Sequence, residues 1–480
     1  MTSRWLSVQA LRSVSVGPGG SSFNPGPQAW ARRLSWVLLV AGVVAFILLS
    51  APALLVLGIP YDAPEGSFPA KIHLGTYLLL PAWILGLAGQ GHPLEALWRQ
   101  ARQHRAVFTY LVCMTVVFLW AAGQHGPSGL AFIIDTLIMP AVAVLTVLLQ
   151  PRHRQRQLLQ LIMFAIVANA LLGIAESALR MRVVPIYAGR EKDFVEEPFF
   201  RASAMFGHPL QNSLVTLSLL PMLLLMPWRA GWKVATVVLC LLSLLAFGSR
   251  TALAVALIYA LLFGLVVVWR LVRGRYGYVQ IAAGALGMVV GSALLAAVVA
   301  VSGLGARIFK NLTWDNSADV RLKSWDVLDH VHGAEVWFGV SMLDIASIAE
   351  RIGIDPRYEA IENFWLVMLL LLGVLGFVAF VVGLVVLFTY LWRISAAPMR
   401  VALVMYLLVA SGANTLSSKN VSLLLLVMAV QCAAVARVAP QVDPLRRRLR
   451  SAPGRSFSAS TSQAAFSAGS TGPRPTGRWS

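Results

Sequence analysis

Polar positions in this chain come in short clusters. Between them the sequence stays apolar for stretches of roughly 18 residues or more, each long enough to cross a bilayer as a helix. We place twelve such spans, at 34–59, 72–90, 106–122, 129–150, 158–179, 209–227, 232–248, 251–270, 279–301, 363–392, 401–416 and 420–438. The pattern predicts an all-α polytopic membrane protein of about 12 transmembrane helices. Two of the polar stretches are longer than a turn, at 180–208 and 302–362. Within the second, DVRLKSWDVLDHVH and SMLDIASIAERIGI read as helical. Ile345, Ile348, Ala349 and Ile352 of the latter share one face, as in a short helix that lies on a bilayer surface or caps a cavity. The chain thus divides into a leader (1–33), nine spans (34–301) with the 180–208 loop among them, a large loop (302–362), three more spans (363–438) and a tail (439–480).

Composition removes the soluble alternatives. The chain is 58% hydrophobic and 12% charged, more apolar surface than a soluble domain can bury. The three cysteines, Cys113, Cys240 and Cys432, all sit inside apolar runs and read as packing residues. No cleavable signal peptide is expected; the first apolar run follows a long polar leader and reads as a signal anchor.

A formal net charge of +19 on a soluble domain would point to nucleic acid. Here most of the basic residues collect on alternate connections, which orients the chain with both termini inside, and no nucleic-acid partner is expected. Every short inside connection carries at least two: Arg99, Arg102 and Arg105; Arg152, Arg154 and Arg156; Arg229 and Lys233; Arg270, Arg273 and Arg275; Arg393 and Arg400. The tail, rich in Ser, Gly and Pro, is expected to be disordered and cytoplasmic.

In this orientation the outside arginines carry the information: Arg180, Arg182, Arg190, Arg201, Arg250, Arg307, Arg321, Arg351 and Arg357. Arg250 lies in LLAFGSRTALAVAL, in a turn so short that spans seven and eight must form a tight hairpin. It either snorkels to the interface or serves a ligand. RASAMFGHPLQNSL places Arg201, His208, Gln211 and Asn212 at the mouth of span six, the last three spaced to share a helical face. Arg321 and Trp325, four apart, can share a face of the loop helix, and Glu362 and Asn363 open span ten. Asp135 and Glu176, in or beside apolar runs, can neutralise an arginine or carry protons. The planar guanidinium fork suits phosphate, and a diphosphate at the outer face of a membrane has a polyprenyl lipid as its carrier.

Four pieces in this order resemble the motif set of the bacterial O-antigen ligase and polysaccharide polymerase superfamily, in particular its exopolysaccharide polymerase branch. They are the R-x(5)-G-H-P-x-x-N block at 201–212, the S-R-T-A hairpin at 249–252, Arg321 and Trp325 followed by FGVS at 338–341, and the LLLLGVLG of span ten. The resemblance covers about 190–380 and implies a fold similar to the C-type glycosyltransferases, in the bacterial inner membrane, with the large loop periplasmic. It implies a polyprenyl-diphosphate-linked oligosaccharide as donor, a growing glycan as acceptor, and no metal or other cofactor. A chain-length regulator and membrane lipid are further expected partners.

By position, Arg201, Arg250 and Arg321 would hold the diphosphate with help from His208, while Gln211, Asn212, Trp325 and Asn363 would bind or support the substrate. The family often has His-Asn where this chain has Glu362-Asn363, so the base is Glu362, or else His330 or His332; the last glycine of the FGVG turn is Ser341 here. The replacement by Glu362 favours a polymerase over a ligase that transfers glycan to lipid A-core. A transporter or flippase without chemistry fits less well, because the polar residues gather at one face instead of the midplane.

Overall fold

Proline marks the start of helix after helix here. At the first or second helical position its missing N–H would have had no partner, and its fixed φ already suits the helix. The computed structural model describes residues 26–62, 66–127, 129–184, 200–274, 322–354, 361 and 363–437. In chain order its α-helices are α1 Pro27–Leu48, α2 Ala51–Val56, α3 Leu74–Ala88, α4 Pro93–Gln103, α5 Arg105–His125, α6 Met139–Leu148, α7 Arg152–Leu179, α8 Pro209–Leu219, α9 Ala230–Phe247, α10 Arg250–Val272, α11 Ala334–Phe338, α12 Met342–Arg351, α13 Phe364–Ile394, α14 Ala397–Ser411 and α15 Ser422–Arg437. Proline opens α1, α2, α4, α6, α8 and α14. Side-chain caps open others: Ser249 accepts from the Ala252 N–H, Ser341 from Asp344, and Asn363 from Trp365 and Leu366.

The described residues are all-helical, without strands. Six helices (α1, α5, α7, α9, α10 and α13) are long and apolar enough to cross a membrane. Shorter apolar segments stand at Leu74–Ala88, Ile133–Leu148, Pro209–Leu225, Ala397–Ser411 and Ser422–Val435. Apolar helices therefore occupy the expected positions, apart from span 279–301, which lies outside the described residues, as do the leader to 25, 275–321 and the tail from 438.

Several expected spans are not single helices. Span 34–59 divides at Leu49–Ser50 into α1 and α2. Span 129–150 enters through a π-helical turn, Ile133–Ile138, and span 209–227 tightens after α8 into a 3-10 turn, Leu220–Leu225, around Pro221. Span 363–392 is interrupted at Gly373, whose φ of 61° and ψ of 178° are non-helical.

Helix α13 has 31 residues, about 46 Å at 1.5 Å per residue, against a hydrocarbon core of about 30 Å. The Gly373 break resolves the excess. Before it, Phe364, Leu366, Met368, Leu371 and Leu372 are buried by protein. After it, Leu375, Val378, Val382 and Val385 are exposed, as lipid-facing side chains would be. The segment beyond the break is about 30 Å long.

The polar 322–354 stretch docks on this break. The Val340 N–H donates to the Leu370 carbonyl (2.8 Å), and the Trp120 indole donates to Leu372 (3.0 Å), so carbonyls freed by the break find donors. The amphipathic helix expected in SMLDIASIAERIGI is α12, with Ile345, Ile348 and Ala349 buried. Residues 324–330, Trp325 among them, form a 3-10 turn; Arg321, expected to share a face with Trp325, lies outside the described residues.

Candidate functional site

The site grows from one carboxylate. Glu176, near the end of α7 and 2% exposed, takes three backbone N–H groups: Val183 on Oε1 (2.9 Å), Ser203 and Ala204 on Oε2 (2.9 Å each). Through these bonds it pins the segment that delivers Arg201 and His208, a role the sequence did not suggest. Two asparagines complete the anchor. Asn169 accepts from the Met205 N–H (3.1 Å). Asn212 accepts from Phe206 (3.2 Å) and donates to the carbonyls of His208 (2.8 Å) and Ser203. Asn212 is fully buried, and its amide organises the turn from within.

The anchored segment runs beside the α9–α10 hairpin. Arg201 donates from Nε to the Phe247 carbonyl (3.2 Å) and lies against Gly248, the left-handed residue (φ +65°) that ends α9. Arg250 follows two residues later as the first residue of α10, so the structure brings Arg201 to the turn that carries Arg250. Arg182 donates to the Arg201 carbonyl (3.1 Å) and stacks over Phe200.

His208 is the N-cap of α8. Its Nδ1 accepts from the Leu210 N–H (3.3 Å), which assigns the proton of the neutral ring to Nε2. The residue is exposed where it lines a cavity, and protein surrounds the rest of it. Desolvation first, and the Arg201 charge second, lower its pKa to about 4, so it is neutral near pH 7.

That cavity, of about 410 Å³, lies at the end of the bundle where α8 begins. Its walls come from Ala51 and Pro52 at the head of α2, from Asp62, Gly129 and Phe132, from Phe206, Gly207, His208, Leu210 and Gln211, from Met342, and from Asn414, Thr415, Ser417, Ser418, Lys419 and Asn420 between α14 and α15.

Lys419 sits over the Tyr61 ring (4.0 Å), donates to the Tyr61 carbonyl and lies 3.8 Å from the Asp62 carboxylate. Burial lowers its pKa, and the carboxylates of Asp62 and Asp135 oppose the shift. Beneath it, Asp135 accepts from Thr76 Oγ1 (2.6 Å), the Tyr61 hydroxyl (3.0 Å) and the His73 N–H (3.0 Å). Thr136 donates to the Ser418 carbonyl (2.8 Å) and accepts from the Asn420 N–H (2.9 Å), which ties the α14–α15 connection to the π-helical turn.

Of the residues the sequence singled out, His208 and Gln211 line this cavity, and Arg201 is bonded to the end of α9, from which the turn leads to Arg250. Asn363 caps α13 with its side-chain oxygen. His330, His332 and Trp325 are exposed and do not line the cavity; the His330 ring bonds within its own turn, at the Asp326 carbonyl (3.1 Å). Arg321 and Glu362 lie outside the described residues.

The sequence reading missed the cavity-lining run NTLSSKN at 414–420. It was divided between two expected spans, although seven consecutive residues with a single leucine between two apolar helices were a visible signal. Among the described residues no group of three or more His, Cys, Asp or Glu is placed to hold a metal ion. No family model matches the chain, and no curated protein matches it.

Proposed function

We propose that this chain is a membrane glycosyltransferase of the bacterial inner membrane, joining polyprenyl-diphosphate-linked oligosaccharide repeat units into exopolysaccharide or O-antigen at the periplasmic face. In this reading the chain has twelve spans with both termini inside, and the cavity opens on the outer side. One observation carries it: a polar cavity lined by His208, Gln211 and Lys419 lies at one end of a bundle of apolar helices, and Arg201, on the segment that leads to His208, is bonded to the end of α9, from which the turn leads to Arg250.

The chemistry uses what such a site offers. An acceptor hydroxyl oxygen attacks the anomeric carbon of the donor sugar, forming the new glycosidic bond. The bond from that carbon to the diphosphate oxygen breaks, and the lipid diphosphate leaves with the electron pair. Arg201 and Arg250 stabilise the departing charge, and His208 donates from Nε2–H to a diphosphate oxygen. Glu362 takes the hydroxyl proton.

The test is the purified protein in lipid discs, supplied only with the lipid-diphosphate repeat unit. The expected result is a ladder of glycans with release of lipid diphosphate. Release that requires added lipid A-core acceptor would make it a ligase. Absence of release under both conditions would reject glycosyl transfer in favour of transport.

A further inference from the structure

Two side-chain amides at the cavity make no hydrogen bond to a described residue. Gln211 is only 9% exposed, and its side chain makes no hydrogen bond to any described residue, yet it lines the cavity. Buried amides are almost always hydrogen-bonded, so one that is not is built for a ligand or for solvent held at the site. Asn414 provides the second. It stands at the N-cap of the 3-10 turn Thr415–Ser417, where an asparagine normally caps with its side chain, and it does not cap. Asn414 also lines the cavity.

Of the other polar side chains of the 414–420 wall, the buried Thr415 hydroxyl makes no hydrogen bond to a described residue, and the rest are engaged. Ser417 donates to the Asn414 carbonyl (3.1 Å), Ser418 to Thr415 (3.4 Å), and Asn420 accepts from the Ser422 N–H (2.7 Å). Lys419 is held by Tyr61 and Asp62, which leaves this wall close to neutral.

An amide offers a donor and an acceptor side by side, which matches the hydroxyls of a sugar better than it matches phosphate, an acceptor only. The volume of about 410 Å³ is at the small end of the range for small-molecule sites, about 300–1,000 Å³, and suits a head group of on the order of one or two sugar rings.

We propose that Gln211 and Asn414 form a sugar-reading subsite, which recognises hydroxyls of the donor glycan next to the diphosphate. This rests on the glycosyltransferase reading above and adds that the cavity discriminates the glycan through these two amides, separately from the arginines.

The experiment compares two probes on the full-length protein in lipid discs: the lipid-diphosphate repeat unit and sugar-free polyprenyl diphosphate. Gln211→Leu and Asn414→Leu are each expected to weaken binding of the glycan-bearing lipid about tenfold, the worth of one neutral hydrogen bond, and to leave sugar-free binding unchanged. Gln211→Glu, which keeps the shape and an acceptor, is expected to lose less, and thermal unfolding of each variant controls for folding.

Equal weakening of both probes, or of neither, would overturn the subsite. Wild-type protein that binds the two probes equally would also overturn it while leaving the glycosyltransferase reading intact. Wild-type protein that binds neither would overturn both.

Discussion

Gly339 and Gly373 meet backbone against backbone. A Cβ on Gly339 would come 2.7 Å from the Gly373 nitrogen, and a Cβ on Gly373 would come 2.5 Å from the Gly339 nitrogen. Both residues hold positive φ, +88° and +61°, with ψ near 180°, a region open essentially to glycine alone. The FGVS turn and the LLLLGVLG run, two separate motifs in the sequence, are therefore the two halves of one joint. It docks the 322–354 stretch onto α13 at the level where lipid-facing exposure begins.

Gly339→Ala and Gly373→Ala are each expected to destabilise the protein by about 2 kcal/mol or more, through backbone strain plus a clash that no side-chain rotation relieves. Gly123→Ala is the contrast. Gly123 lies inside α5 with open space around it, so alanine is expected to stabilise by about 0.5–1 kcal/mol. Thermal unfolding of the purified variants distinguishes the two outcomes, and similar melting temperatures for all three would contradict the joint.

Glu176→Ala leaves the buried N–H groups of Ser203 and Ala204, and the partly buried one of Val183, without their acceptor. Since hydrogen bonds to a charged group contribute about 1.5–3 kcal/mol each, the segment from 200 to 208 is expected to detach at a cost of about 3 kcal/mol or more. Limited proteolysis should then cut this segment faster than in wild type. Glu176→Gln keeps one acceptor oxygen for Ser203 and Ala204 and is expected to be milder. Unchanged proteolysis of the alanine variant would show that the anchor is dispensable.

Arg250→Ala is expected to lower lipid-diphosphate release by on the order of a hundredfold, typical for removal of one donor to a developing charge. Arg250→Lys keeps the charge but loses the planar fork, and on the order of a tenfold loss is expected, equivalent to about 1.4 kcal/mol. Full release by both variants at normal protein level would rule out a role for Arg250 in holding the diphosphate.

The His208 ring titrates near 4 in the folded protein and near 6.5 when unfolded, so between these values the unfolded chain binds more protons. Stability from this group is therefore complete above about pH 6.5 and falls as the pH drops towards 4. His208→Asn keeps a capping side chain and removes the titration. Its melting temperature is expected to fall less than that of wild type over this window. Identical pH profiles for the two proteins would refute the shift.

Part of the site was legible and part was not, for identifiable reasons. His208 and Gln211 were legible because a polar cluster at the mouth of an apolar run is conspicuous, and Gln211 does reach the cavity. Asn212, one residue further on, looked equivalent, but the helix turns it into the protein, where it serves the backbone of its own loop. Glu176 looked like a charge in need of a counter-charge, because a sequence does not show that three N–H groups converge on it. His330 and His332, the alternative candidates for the base, lie in the same large loop as Glu362 but do not line the cavity.

The sequence by itself determined that the described residues are helical, with helices long and apolar enough to cross a membrane, and where those helices lie. Hydropathy over some twenty residues is a local property, and no water-soluble fold can bury so many long apolar runs. Only the tertiary structure decided where those runs break, at Ser50, Pro221 and Gly373, and which polar residues share a cavity. Gln211 and Asn414 come together because α8 and α14 pack side by side. Gly373 leaves the helix because the turn at Gly339 supplies partners for the carbonyls that the break sets free. Both are encounters between distant segments, and a local pattern carries no record of them.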